Sequence, residues 1–163
     1  MNHLTRFGVA AVLAVSSVAA FSQGAPGAAP NPEARAKTAI ETRQGLFKLI
    51  ANQNGPIGGM QRNQVPFDAA VVARNAARIK VLAEMAPDLF ALDTREFKTI
   101  KTAALDGIWN SQADFKTKAD ALVSAADTLA TTAKAGDKDA TLKAAANVGK
   151  ACGSCHDSFR AKP

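Results

Sequence analysis

The sequence predicts an all-α protein in which four amphipathic helices bury one core as an antiparallel bundle. Three observations carry that prediction. Apolar residues recur at steps of three and four along most of the chain, the period of one helix face. No run of strand length alternates apolar with polar residues. Three of the four periodic stretches are joined by short links, which favours antiparallel neighbours.

The elements follow in order. Asn31 is placed to cap the first helix, with Pro32 in its first turn. This helix runs to about Asn54, where Gly55-Pro56 is expected to end or kink it. Asp68 caps the second helix, which carries Val72, Ala76, Ile79 and Leu82 on one face and stops before Pro87. The connection from Asp88 to Asn110 is the long one, with an extra turn of helix expected around Thr94 to Lys101. In the third helix Phe115, Ala119, Leu122, Ala126, Leu129 and Ala133 form the cleanest stripe, and Gly136 stops it. The fourth repeats the pattern with Leu142, Ala145, Gly149, Cys152, His156 and Phe159, which places Cys152 and His156 on its buried face.

That fourth helix contains Cys152-Gly153-Ser154-Cys155-His156, and Cys-x-x-Cys-His is the pattern of covalent c-type haem attachment. On a helix, positions 152, 155 and 156 are i, i+3 and i+4 neighbours, so two thiols and one imidazole leave from a single face. The thiols can add to the two vinyl groups of a porphyrin as thioethers while His156 ligates the iron from the same side. Other uses of the pattern fit less well. A structural zinc site wants four ligands, and the only other histidine is His3. A thioredoxin-like dithiol sits near a helix start on a βαβ scaffold, whereas this pair comes late in a helical stretch. A plain disulfide is open to the pair in an oxidising compartment but leaves His156 without a role.

The N-terminal residues say where the chain goes. Met1 to Arg6 is basic, Phe7 to Phe21 is apolar apart from small residues, and Ala20-Phe21-Ser22 offers a small-x-small cleavage site. The segment reads as a secretory signal peptide spanning residues 1–22, and its apolar run is shorter than the roughly twenty residues a membrane span needs. Residues 23–31, rich in Gly, Ala and Pro, read as a flexible linker, and residues 32–163 as the four-helix haem domain. Export to the periplasm agrees with haem attachment, since c-type haems are generally installed outside the cytoplasm. The formal charge of +6 does not point to nucleic acid, because the lysines and arginines are spread over every helix rather than clustered. It suits transient docking to a small acidic redox protein.

These residues resemble cytochrome c′, the class II c-type cytochromes. The segments that carry the resemblance are Thr42-Arg43-Gln44 with Phe47-Lys48-Leu49, Pro66-Phe67-Asp68-Ala69-Ala70, Trp109 with Phe115, and above all Val148 to Arg160 with the haem motif inside it. The resemblance implies an up-down-up-down bundle, one covalent haem c per chain, and a homodimer through the first two helices. Leu46, Leu49 and Val71 are apolar residues left over for that interface. It further implies Cys152 and Cys155 as thioether anchors and His156 as the axial iron ligand. Arg43 and Gln44 fall on the propionate side, where a guanidinium in an apolar stripe calls for an anionic partner. Arg160 borders the proximal pocket, one turn past His156. The family's Pro-Trp pair stands here as Pro87-Asp88, a departure in part of the haem surround.

By alignment with the family, Phe47 occupies the distal position over the iron. A phenyl ring offers iron no lone pair, so the resemblance implies a five-coordinate, high-spin haem that takes up NO or CO by displacing the ring and also exchanges electrons. The alternative is a low-spin electron shuttle with a methionine axial ligand. Met60 lies thirteen residues past Phe47, roughly 20 Å along a helix, which leaves Met85 as the candidate. No distal histidine, acid or second cofactor ligand suggests an enzyme. A close approach of porphyrin or first helix would explain Gly149 inside the fourth helix, where glycine costs about 1 kcal/mol.

Overall fold

The computed structural model describes residues 31–162; the expected signal peptide, and the expected linker up to Pro30, lie outside them. The helices are α1 (Pro32–Gln61), α2 (Ala69–Glu84), the single turns α3 (Ala86–Leu89) and α4 (Gly107–Asn110), α5 (Gln112–Lys134) and α6 (Lys138–Phe159). The four long ones form the up-down-up-down bundle, and no strand occurs among the described residues. Packing is close between α2 and α5, α5 and α6, and α1 and α2, whereas α1 and α6 barely touch. The gap between those two helices holds the large cavity described below.

The caps behave as their chemistry dictates. Asn31 Oδ1 accepts from the Glu33 amide at 2.9 Å, and Asp68 Oδ1 from the Val71 amide at 3.0 Å. Asp137 does the same for α6, accepting from the Ala140 amide at 3.0 Å. Gly136, at φ +81°, provides the left-handed residue that ends α5.

Gly55-Pro56 does not end α1. The helix continues to Gln61 and stops at Asn63, whose φ of 55° closes it with Asn63 N–H to Met60 O and Gln64 N–H to Gly59 O, a Schellman arrangement. An interior proline costs about 3 kcal/mol. The extension buries Ile57 and Met60, and two such side chains return about 1.5–3 kcal/mol each, so tertiary packing outweighs the local breaker.

Two further expectations need correction. The segment Thr94–Lys101 makes hydrogen-bonded turns rather than a helix; the helical turns of this connection are α3 and α4, at its two ends. On α6 the buried stripe is Thr141, Ala144, Ala145, Val148 and Phe159, while Gly149 is exposed and a Cβ there would meet no neighbouring atom. Close packing against the protein therefore does not explain Gly149.

The core divides in two. An aliphatic cluster gathers Ile57, Val72, Ala76, Ile79, Ala126, Leu129 and Val148 among others. An aromatic one joins Phe90, Ile108, Phe115 and Phe159, with Trp109 and Cys155 against it.

Candidate functional site

Each aromatic of the second cluster is fixed by its neighbour. Phe90 lies 4.9 Å from Phe115 between ring centroids, and Phe115 meets Phe159 edge-on at 5.4 Å. Trp109 is tilted against Phe90 at 6.0 Å and donates its indole N–H to Phe90 O at 3.0 Å. Beside this cluster opens a cavity of about 510 Å³, within the range of a cofactor-sized ligand. α1 contributes Arg43, Gln44, Phe47 and Lys48 to its wall, and α6 contributes Cys152, Cys155, His156 and Arg160. All seven side chains singled out from the sequence therefore line one cavity.

The motif residues line that cavity at the edge of the core, Cys152 against the aliphatic cluster and Cys155 against the aromatic one. The two cysteines are half-buried and His156 is accessible, so the expectation of a buried face is corrected at His156, while the shared direction is kept. Burial raises both thiol pKa values, with Lys118 opposing at Cys155. Burial lowers that of His156, and the nearby Arg160 charge adds to the effect. The imidazole is thereby favoured in the neutral form that ligates metals. Arg160 Nη1 approaches His156 Nδ1 at 3.5 Å.

Arg43 is buried, and its guanidinium is held by oxygens of the protein itself. It is 4% exposed and its fork donates to three neutral oxygens: Nε to Leu89 O at 2.7 Å, Nη1 to Thr94 Oγ1 at 2.9 Å, and Nη2 to Leu92 O at 2.6 Å. Gln44 donates to Lys101 O at 3.1 Å. Burial lowers the guanidinium's pKa, partly offset by Asp93. Phe47 is 38% exposed and stands on the cavity wall beside Phe90, 6.3 Å between centroids. Met60 belongs to the aliphatic cluster and Met85 is exposed; neither lines the cavity.

Haem fits these residues by donor set and by charge. Two thiols and an imidazole share a wall, the rest of the lining is largely apolar, and the four charged side chains, Arg43, Lys48, Lys118 and Arg160, are all cations. Two propionates are the matching anions. Sequence reasoning missed Lys118, which ties α5 to the motif by donating to Ser154 Oγ at 3.0 Å. Its signal was available, since it falls within the Phe115–Leu122 stretch of the third helix's stripe. Phe90 gave none, because it follows α3 in an irregular connection.

Comparison with known proteins agrees. The family model described as Cytochrome C′ matches residues 38–160. The cytochrome c′ of Rubrivivax gelatinosus is 38% identical over 124 residues, 76% of this chain and 95% of that protein. The solved cytochrome c prime of Shewanella frigidimarina superposes with a TM-score of 0.71 at 36% identity, covering 78% of this chain and 97% of the other. A nitric oxide complex of a cytochrome c prime variant from Alcaligenes xylosoxidans gives 0.68 at 31% identity, covering 78% and 97%.

Proposed function

Given that the chain belongs to the cytochrome c′ family and carries covalently attached haem c, we propose that it is a periplasmic protein whose five-coordinate haem binds NO and CO and takes part in electron transfer. The observation that carries this reading is the cavity lining. Haem iron is held by His, Cys, Met or Tyr. Among the described residues that line the cavity, the only side chains of these kinds are His156, Cys152 and Cys155.

Bound haem would supply a redox-active iron that takes small ligands. Cys152 and Cys155 would hold it as thioethers, and His156 would ligate the iron. Phe47 covers the open face with a ring that gives no lone pair and disfavours bound water or anions in an apolar surround. Gln44 lies on the propionate side with Arg43, and the cations Lys48 and Lys118 supply charge. Arg160 borders the proximal face. Leu46 is buried in the aliphatic core, which removes it as a free dimer contact, and Val71 is half-buried against that core. Leu49, Val81 and Met85 remain exposed on α1, on α2 and at its C-cap, and a homodimer through α1 and α2 buries such residues. A monomer in sedimentation at high concentration overturns the dimer.

Spectra of the ferric, ferrous and CO-treated holoprotein test the main reading. High-spin ferrous protein that takes up CO and NO is the expected result. Phe47→Ala speeds ligand entry, and Phe47→Met, which supplies a thioether, converts at least part of the population to six-coordinate low-spin haem. A wild-type protein already low-spin, turned high-spin by Met85→Leu, establishes the electron-shuttle alternative instead.

A further inference from the structure

Arg43 and Phe47 are i, i+4 neighbours on α1, and both meet the Phe90 ring. Phe47 and Phe90 stand side by side on the cavity wall, their centroids 6.3 Å apart. Phe90 follows α3, in the irregular stretch that leads toward α4. Arg43 holds that stretch at three oxygens, on Leu89, Leu92 and Thr94. Its guanidinium carbon also sits 4.6 Å above the centre of the Phe90 ring and 5.5 Å from that of Trp109. Trp109 binds the same strand of backbone, its indole N–H shared by Phe90 O and Leu92 O. Thr94 is 4% exposed and satisfied by Arg43. The planar fork thus meets acceptors at both ends of the Phe90 segment while its face lies on the ring between them, an arrangement that an ammonium cannot reproduce.

We propose that Arg43 is a positioning residue for ligand entry: by clamping the Leu89–Thr94 segment it fixes Phe90 against Phe47 on the cavity wall and so limits how far the Phe47 ring can swing aside. The inference rests on the reading of Phe47 as the cover of the open haem face. It differs from a role as propionate partner in what it requires of residue 43. A propionate needs the charge, and lysine supplies it; the clamp needs the fork.

The test uses holoprotein carrying Arg43→Gln, Arg43→Lys or Thr94→Val, with Phe47→Ala as reference. Two quantities are read: the CO association rate, and amide hydrogen exchange over residues 89–94. Both Arg43 variants are expected to accelerate exchange there and to raise CO association about tenfold, equivalent to a small fraction of the entry barrier. Thr94→Val, which removes one of three clamp bonds and leaves the cavity wall intact, shifts both in the same direction by less and carries the test if Arg43→Gln does not accumulate as folded protein. Combining Arg43→Gln with Phe47→Ala adds nothing to Phe47→Ala alone, because both act through the same ring. Faster exchange with unchanged CO association in Arg43→Gln and Thr94→Val overturns the clamp, as does full rescue by Arg43→Lys, which assigns Arg43 to a charge role. If Phe47→Ala itself leaves CO association unchanged, the reading of Phe47 fails and the clamp falls with it. Phe47→Ala active beside inert clamp variants overturns the clamp alone.

Discussion

Around Ile57, Ile79, Leu129 and Val148 the bundle closes on itself with alanines and branched aliphatics; around Phe90, Phe115 and Phe159 it is built of rings beside an open cavity. The difference is one of who completes the packing. Small side chains such as Ala76 and Ala126, both 0% exposed, let α2 and α5 approach closely, so burial is the main term that stabilises that end. The other end has α1 and α6 apart and relies on directed contacts: the Arg43 fork, the Trp109 indole, and Leu105 N–H donated to Phe159 O at 3.0 Å. Room for a cofactor is obtained by substituting hydrogen bonds and ring contacts for close helix packing.

The strongest way to break the comparison is to deny the aromatic end its cofactor. A chain with Cys152→Ala and Cys155→Ala is expected to lose all haem on denaturing gels, where the unmodified protein retains haem staining. Anything that binds only the native state stabilises it, and the cavity takes all four buried members of the aromatic cluster into its wall but only Ile50 and Ala86 of the buried aliphatic one. Amide protection is therefore expected to fall over residues 89–110 and 151–160 while holding over the aliphatic stretch of α5. Uniform loss along the bundle shows instead that the two ends fold as one unit.

The converse change strikes the closed end. Leu129 is 0% exposed within the aliphatic cluster, and Leu129→Ala costs about 3 kcal/mol through lost burial and the void left behind. Chemical denaturation of the holoprotein measures it, and the haem spectrum is expected not to move. A changed spin state in that variant shows that packing strain crosses from one end to the other.

The same division explains what the sequence disclosed. The third helix's stripe came through intact because Phe115, Ala119, Ala126, Leu129 and Ala133 are buried by periodicity alone, with Leu122 turned to the cavity. The motif was readable because its chemistry requires particular residue types, whereas Phe47 was singled out only by the family resemblance. Three things were not readable. Pro56 looked like a stop because a local signal does not include the burial of Ile57 and Met60 beyond it. Gly149 and His156 looked buried because a stripe that leads into a cavity continues the helical period without continuing the core. The protein partners of Arg43 were hidden because Leu89 O, Leu92 O and Thr94 Oγ1 lie 46 to 51 residues away in an irregular segment that periodicity does not describe.

The smallest effect sharpens the comparison by acid. Asp93 accepts from Arg95 at 2.6 Å, and Arg95 donates in turn to Asn110 Oδ1 at 2.7 Å, which ties the clamped segment to α4. Hydrogen bonds from the Arg95 side chain, and then from its backbone, lower the Asp93 carboxyl's pKa, with the charges of Arg95 and Arg43 helping. A folded-state value below the unfolded one means that the unfolded chain binds the proton more readily. The contribution is thus fully present above the ordinary carboxylate value near pH 4 and is lost as pH falls through the folded value. The pair is solvent-exposed, so its contribution is modest and screened by salt. Asp93→Asn is expected to be slightly less stable than the unmodified holoprotein in urea at pH 6, with the gap closing as pH drops below about 4 and narrowing in high salt. A gap that does not shrink at all as the pH is lowered from 6 into the range below about 4 means that the hydrogen-bond geometry of residue 93, rather than its charge, holds the segment, and the aromatic end then has no acid-sensitive tie at this position.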